Sequence, residues 1–369
     1  MADLSFLKGF EKDLEDLELD DGAAEPPTYW FSTGNYVANK TLSGSFLNGI
    51  PQGRVAAYVG PSGCGKSFLL ANTMREAQKN GAFIVAIDSE NALDNEFVGK
   101  IGVDTSRSAY KYVDVDTIPD VVRVVSSFLK SYKAAYEPGD PEAPKVLVCI
   151  DSLNMLSTET EAENFEKGIA KGDQGQTNKQ LKSMLKSFVR AIKHYNISIV
   201  CTAHVYKNQD VLNGEGVWIV ADAIKYALSH VALLTKLKLR AGEGAKRVAV
   251  GIELKVEGYK TRFTRPYQTV KIEVPYETGM DPYNGLFDVA LELGIITKKG
   301  SWYVIGDGEN FRQDDFYTEE FASIRSDVLI KCEASTTKFL EANLKDMEEV
   351  LDEENPSPKS KRKEKHDSK

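Results

Sequence analysis

The sequence predicts an α/β fold, a mainly parallel sheet flanked by helices, on three observations. Apolar runs at 54–59, 83–87, 146–150 and 197–201 have the length and composition of strands buried on both faces. Helical patterns separate them at 67–80, 117–133 and 179–194, the last with Leu181, Met184, Leu185, Phe188, Val189 and Ile192 on one face. Between the first strand and the first helix, Gly60-Pro61-Ser62-Gly63-Cys64-Gly65-Lys66-Ser67 satisfies the phosphate-loop pattern G-x-x-x-x-G-K-[S/T] in the strand–loop–helix context it requires. Strands alternating with helices place helices on both faces of the sheet.

Taken in order, Leu4, Leu7, Phe10, Leu14 and Leu17 recur at three- and four-residue spacing among acids, an amphipathic helix of about four turns. Pro26-Pro27 separates this helix from the core, and its apolar stripe either folds back onto this chain or docks on a neighbour. The region 32–280 is read as the core, with Gly81 ending its first helix and further strands at 229–239, 247–257 and 268–274. A smaller C-terminal α+β unit, 281–353, has a short helix at 285–291, a strand at 301–305 and helices at 317–331 and 335–351. The segment 354–369 is basic and nearly devoid of apolar residues, a composition that predicts disorder.

Composition narrows the class. The 369 residues are 42% hydrophobic and 27% charged, ordinary for a globular protein. No apolar run approaches the roughly 20 residues of a membrane span, and the first residues lack the order of a secretion signal. Four scattered cysteines form no C-x-x-C or zinc spacing, and Cys149 and Cys201 fall inside strands as buried thiols; a reducing, cytoplasmic setting is expected. Net charge is −9, yet residues 235–272 hold ten basic and three acidic residues, either a solvated face or a ridge that faces phosphates.

Small residues in Gly60–Ser67 let consecutive backbone N–H groups wrap a polyphosphate, and the helix N-terminus adds its positive dipole end. Lys66 is expected to neutralise the outer phosphates, and the Ser67 hydroxyl to ligate Mg²⁺. Function in open α/β sheets gathers at the carboxyl ends of strands. There, 146–150 delivers Asp151, a partner for Mg²⁺ or else a turn cap. Strand 83–87 delivers Asp88-Ser89-Glu90, of which Glu90, just beyond the strand, is the better base for a water attacking a γ-phosphate; the bland reading is a charged loop residue. Strand 197–201 leads to Thr202-Ala203-His204, so His204 is either structural or a γ-phosphate sensor.

These features, co-linear with others, resemble the RecA-type recombinases, most of all phage recombinases of the UvsX kind. The resemblance spans about Ser32 to Ile305. It includes Ser32-Thr33-Gly34, Gly53-Arg54, Ile87-Asp88-Ser89-Glu90-Asn91-Ala92-Leu93-Asp94, Ile101-Gly102-Val103-Asp104, Asp222-Ala223-Ile224-Lys225-Tyr226, Asp281-Pro282-Tyr283 and Gly300-Ser301-Trp302-Tyr303. It implies Glu90 as hydrolytic base, Asp94 and Phe97 on the adenine, and His204 where many members carry a sensing glutamine. It also implies that Lys260 and Arg262 reach ATP bound on the adjacent subunit.

Two stretches, 157–176 and 205–221, match the family's DNA loops. Lys207, Asn208, Gln209, Asn213, Gly214, Gly216 and Trp218 are the candidate DNA contacts in the second, which is poorer in glycine than usual. Trp218 either packs on the following helix or offers a stacking surface to bases. The resemblance implies an ATP- and Mg²⁺-dependent DNA-stimulated ATPase that forms helical filaments on single-stranded DNA and pairs it with homologous duplex. Mediator and single-strand-binding proteins are the implied helpers, in a host cytoplasm if phage-encoded. A ring-forming helicase on the same core, or a nucleotide-gated DNA-coating protein without hydrolysis, are the competing readings.

Overall fold

A computed structural model describes residues 26–169, 175–207, 218–242 and 247–336. The expected helix at 4–17, most of the helix at 335–351 and the basic tail lie outside them.

The chain enters through β1 (Trp30–Phe31), α1 (Tyr36–Ser43) and β2 (Ile50–Pro51), with β1 and β2 antiparallel. Asn35 caps α1 by accepting from the Val37 and Ala38 amides, while its own amide reaches the carbonyls of Asp281 and Asn284. Next come β3 (Val55–Gly60), α2 (Lys66–Lys79), β4 (Phe83–Asp88), α3 (Asn95–Ile101), β5 (Tyr110–Asp114), α4 (Ile118–Ala135) and β6 (Val146–Asp151). They are followed by α5 (Glu159–Glu166), α6 (Gln176–Ala191), β7 (Ile197–His204), the short pair β8 (Tyr206–Lys207) and β9 (Trp218–Ile219), and α7 (Asp222–Ala227).

Three long strands, β10 (His230–Ala241), β11 (Val248–Lys260) and β12 (Thr269–Pro275), complete an eight-stranded sheet of order β12-β11-β10-β3-β7-β6-β4-β5. Every pair from β10 to β5 is parallel, and β11 and β12 are antiparallel additions at one edge.

The continuous apolar runs follow from burial on both faces. Val55, Ala57 and Val59 of β3 enter one cluster with α4 and α6; Ala56 and Tyr58 enter the other, with α2. Leu147 and Cys149 divide from Val146, Val148 and Ile150 in the same way. All four cysteines are buried free thiols.

Past the sheet, α8 (Leu286–Glu292) and the hairpin β13 (Ile296–Lys299) and β14 (Trp302–Ile305) pack with Val37 and Phe46 around Phe287, Phe311 and Phe316. Two corrections belong here. The expected helix at 317–331 begins only at residue 322, after two short 3₁₀ turns, and runs unbroken to 336, through the break expected at 332–334. The stretch 157–176 is not all loop: Thr158 and Glu161 form a reciprocal capping box that starts α5.

Candidate nucleotide site

The phosphate loop joins β3 to α2 at the carboxyl end of the parallel strands. Gly60 has no room for a side chain: a β-carbon there would sit 2.3 Å from the Leu234 carbonyl oxygen and 2.6 Å from Cys64 Sγ. Gly65, at φ +100°, turns the chain into α2 and leaves the helix without a side-chain cap. The first α2 amides are therefore free to bind an anion. Lys66 is buried, and its ammonium donates to the carbonyls of Gly60 (3.3 Å) and Pro61 (3.1 Å) and lies 3.3 Å from His204 Nδ1. Burial raises the pKa of the Cys64 thiol inside the loop, against the pull of Lys66 and Lys236.

Strand register brings the acids alongside. Gly60 pairs with His204, and Asp88 pairs with Asp151. Asp151 is fully buried; one carboxylate oxygen accepts a very short hydrogen bond from the Thr202 hydroxyl, and Oδ2 has no hydrogen-bond partner. Burial raises its pKa, opposed by the hydroxyls of Ser67 and Thr202. Ser67 faces this carboxylate without completing a bond to Oδ2.

One hydroxyl and one orphaned carboxylate oxygen, with no nitrogen or sulfur donor, suit Mg²⁺, which fills its remaining positions with water and phosphate oxygens. No group of three or more His, Cys, Asp or Glu among the described residues could enclose a metal alone. The donor set thus fits a cation that arrives with its nucleotide.

Asp88 and Glu90 divide their work. The buried Asp88 carboxylate accepts from the Glu90 amide (3.0 Å), the Leu93 amide (2.8 Å) and the Tyr112 hydroxyl (3.3 Å), so it shapes the loop. Glu90 is left partly exposed, with Oε1 3.7 Å from His204 Nε2. Lys66, His204 and Glu90 therefore form a line across the ends of β3, β7 and β4.

The His204 amide in turn donates to Asn154 Oδ1 at 2.6 Å, and Asn154 Nδ2 reaches the Tyr206 hydroxyl at 3.5 Å. Asn154 thus ties the segment after β6 to the start of the segment after β7. Sequence reading passes it over, because one Asn in a polar loop has no spacing signal. Lys236 is also passed over, counted only among the basic residues of 235–272. Its ammonium lies 3.6 Å from where a Gly63 β-carbon would stand.

The remaining expected residues fall in three places. Asp94 caps α3 by accepting from the Phe97 amide at 2.9 Å, and Phe97 packs partly buried against the α2-side cluster. Lys260 and Arg262 lie at the opposite end of the sheet from the phosphate loop. Lys260 pairs with Val231, which pairs with Ala57 near the start of β3. Its ammonium donates to the Lys225 carbonyl at 2.6 Å. Lys207 and Trp218 pair as the backbone partners of β8 and β9. Asn208, Gln209, Asn213, Gly214 and Gly216 lie outside the described residues.

Comparison with known proteins accords with this arrangement. Residues 18–281, well over half of the chain, match the RecA N-terminal domain. The chain belongs to the RecA family. It is 27% identical over 265 residues to Protein RecA of Thermus aquaticus, covering 71% of this chain and 72% of that one. Protein RecA of Aquifex aeolicus is 27% identical over 288 residues, covering 76% and 77% of the two chains. For Protein RecA of Rickettsia canadensis the figures are 25% over 328 residues, covering 87% and 88%. The family match ends at 281, within the loop that Asn35 fastens to α1. No described helix is long and apolar enough to cross a membrane.

Proposed function

We propose that this protein is an ATP-dependent homologous recombinase, most like the phage UvsX kind. It would assemble as a helical filament on single-stranded DNA, and pair and exchange that strand with a homologous duplex. The observation that supports this reading best is the line from Lys66 through His204 to Glu90, whose middle member, His204, stands at the root of the second loop. Membership of the RecA family supplies the context.

ATP is the substrate. Its phosphates would lie along the Gly60–Ser67 backbone, with Lys66 leaving the Gly60 and Pro61 carbonyls to meet the outer phosphates. Ser67 and Asp151 would hold Mg²⁺, which neutralises charge on the departing phosphate. Glu90 would accept a proton from the attacking water. His204, within reach of both Lys66 and Glu90, would sense the terminal phosphate. Its backbone is bonded to Asn154 and runs on into β8, so a shift of His204 would be felt by both loops. Asp94 and Phe97 would border the adenine. Lys260 and Arg262, remote from their own chain's phosphate loop, would serve ATP held by the adjacent subunit.

ATP hydrolysis measured with and without single-stranded DNA tests the reading. Strong stimulation is expected, and its absence would sink the proposal. Electron microscopy with a non-hydrolysable ATP analogue separates it from a ring helicase, because helical filaments are expected on the strand and closed rings are not.

A further inference from the structure

The amino end of the parallel strands gathers positive charge that no carboxylate among the described residues balances. Arg54 immediately precedes β3, His230 stands beside Ala56 at the start of β10, and Lys260 ends β11 beside Val231. Arg262 follows two residues on, and its charge depresses the pKa of Arg54, Lys260 and His230, in each case after the larger effect of burial. Among the described residues no carboxylate lies within ion-pair distance of Arg54, Lys260 or Arg262. Arg54 donates to its neighbour's carbonyl, Gly53 O, at 3.1 Å.

The cluster has a rigid backing. His230 is 1% exposed, stacks on Phe263 at 5.1 Å, and has Nε2 buried without a partner. Trp30 closes edge-on against Phe263 at 4.8 Å and against His230 at 6.4 Å. The ring stack fixes the segment that presents Arg262. Three cations held together without an anion repel one another, and a bound polyanion would relieve that repulsion.

We infer that Arg54 is a third cation of the composite nucleotide site, contacting the triphosphate held by the phosphate loop of the adjacent copy. This rests on the reading of Lys260 and Arg262 as the adjacent-subunit residues. Its mechanical consequence is that β3, six residues and about 20 Å long, holds a phosphate loop at one end and an arginine for the neighbouring site at the other. Successive nucleotides along an assembly are then joined through a single strand buried on both faces.

The test is complementation on single-stranded DNA. Arg54→Ala alone and Lys66→Ala alone should each hydrolyse ATP at least 10-fold more slowly than the unaltered protein. An equimolar mixture should recover about one quarter of full activity. A head-to-tail interface pairs an intact loop from the Arg54→Ala chain with an intact arginine from the Lys66→Ala chain at about one junction in four. Arg54→Lys should be intermediate, since it keeps the charge but loses the planar fork. If Arg54→Ala fails to fold, Arg54→Gln replaces it.

Arg262→Ala mixed with Lys66→Ala runs in parallel. If that pair recovers activity and the Arg54 pair does not, Arg54 acts within its own chain and the inference falls while the composite site stands. If neither pair recovers, the composite site itself is wrong. Loss of DNA affinity by Arg54→Ala with hydrolysis per bound subunit unchanged would assign the cluster to DNA phosphates and overturn the inference.

Discussion

The two ends of the central sheet are built on opposite electrostatic plans. At the carboxyl end the acids have polar neighbours: Asp88 two amides and a phenol, Asp151 the Thr202 hydroxyl on one oxygen while Oδ2 is left open, and Glu90 the imidazole of His204 at 3.7 Å. At the amino end Arg54 and Lys260 donate to backbone carbonyls, and among the described residues no carboxylate lies within ion-pair distance of either or of Arg262. On the proposed reading, one end would receive a nucleotide with its cation and the other would supply positive charge. In the proposed assembly the two ends would meet when copies stack head to tail, an arrangement that gives an open filament where the rotation between copies does not close and a ring where it does.

The largest expected effect probes the carboxyl end. Glu90→Gln should lower turnover by about 10²–10⁴-fold, the usual contribution of a general base, while DNA binding in the presence of ATP persists. Simultaneous loss of DNA binding, measured by fluorescence anisotropy, would mean that Glu90 supports the fold of its loop instead. At the amino end, Lys260→Ala and Arg262→Ala should each slow hydrolysis by about 10–100-fold, as expected for charge-assisted contacts worth roughly 1.5–3 kcal/mol. An unchanged steady-state rate in either variant would mean that the amino-end cation takes no part in hydrolysis.

The amino end also makes a pH prediction. His230 has its pKa pushed from about 6.5 down to about 3 by burial, then by Arg54 and Arg262. The groups around it are those two guanidiniums, the Ser229 hydroxyl at 3.1 Å and the rings of Phe263 and Trp30. The unfolded state therefore binds the extra proton across that window. The stability due to neutral His230 is complete above about pH 6.5 and is lost as pH falls toward 3. The limiting slope is about 1.4 kcal/mol per pH unit. Denaturant titrations at pH 7 and pH 5 should show the loss, and His230→Phe should flatten it.

How much the sequence reveals depends on how far each signal reaches along the chain. Doubly buried strands announce themselves as apolar runs, so β3, β4, β6 and β7 are readable within a few residues. The phosphate loop is readable because its backbone geometry demands a fixed spacing of small residues. The edge strand β5 (Tyr-Lys-Tyr-Val-Asp) and the helix α3 escape notice: one alternates polar and apolar residues, and the other buries only Val98. Asn154, Thr202 and Lys236 escape for a different reason. Each acts through a partner 50 or more positions away, brought close by strand register alone.

Asn154 gives a smaller test on the carboxyl side. Removing its side chain should lessen the stimulation of hydrolysis by DNA about 3–10-fold, the worth of one hydrogen bond to the His204 amide, with basal hydrolysis little changed. Equal loss of both rates would show that it merely holds the fold.

Lys236 should give the smallest effect, and it sharpens the contrast most finely. It projects from β10 against Gly63, adding positive charge to the one place at the carboxyl end where the loop amides and Lys66 already concentrate it. Among the described residues no carboxylate within ion-pair distance balances it. Because the side chain is exposed, solvent screens most of its field, and Lys236→Ala should weaken ATP affinity only about 2–5-fold. The deficit should shrink as salt rises from about 50 to about 500 mM, because the Debye length falls from above to below the distance across the loop. A loss independent of salt would assign Lys236 to packing along β10, and the concentration of positive charge around the loop would then rest on Lys66 and the α2 amides alone.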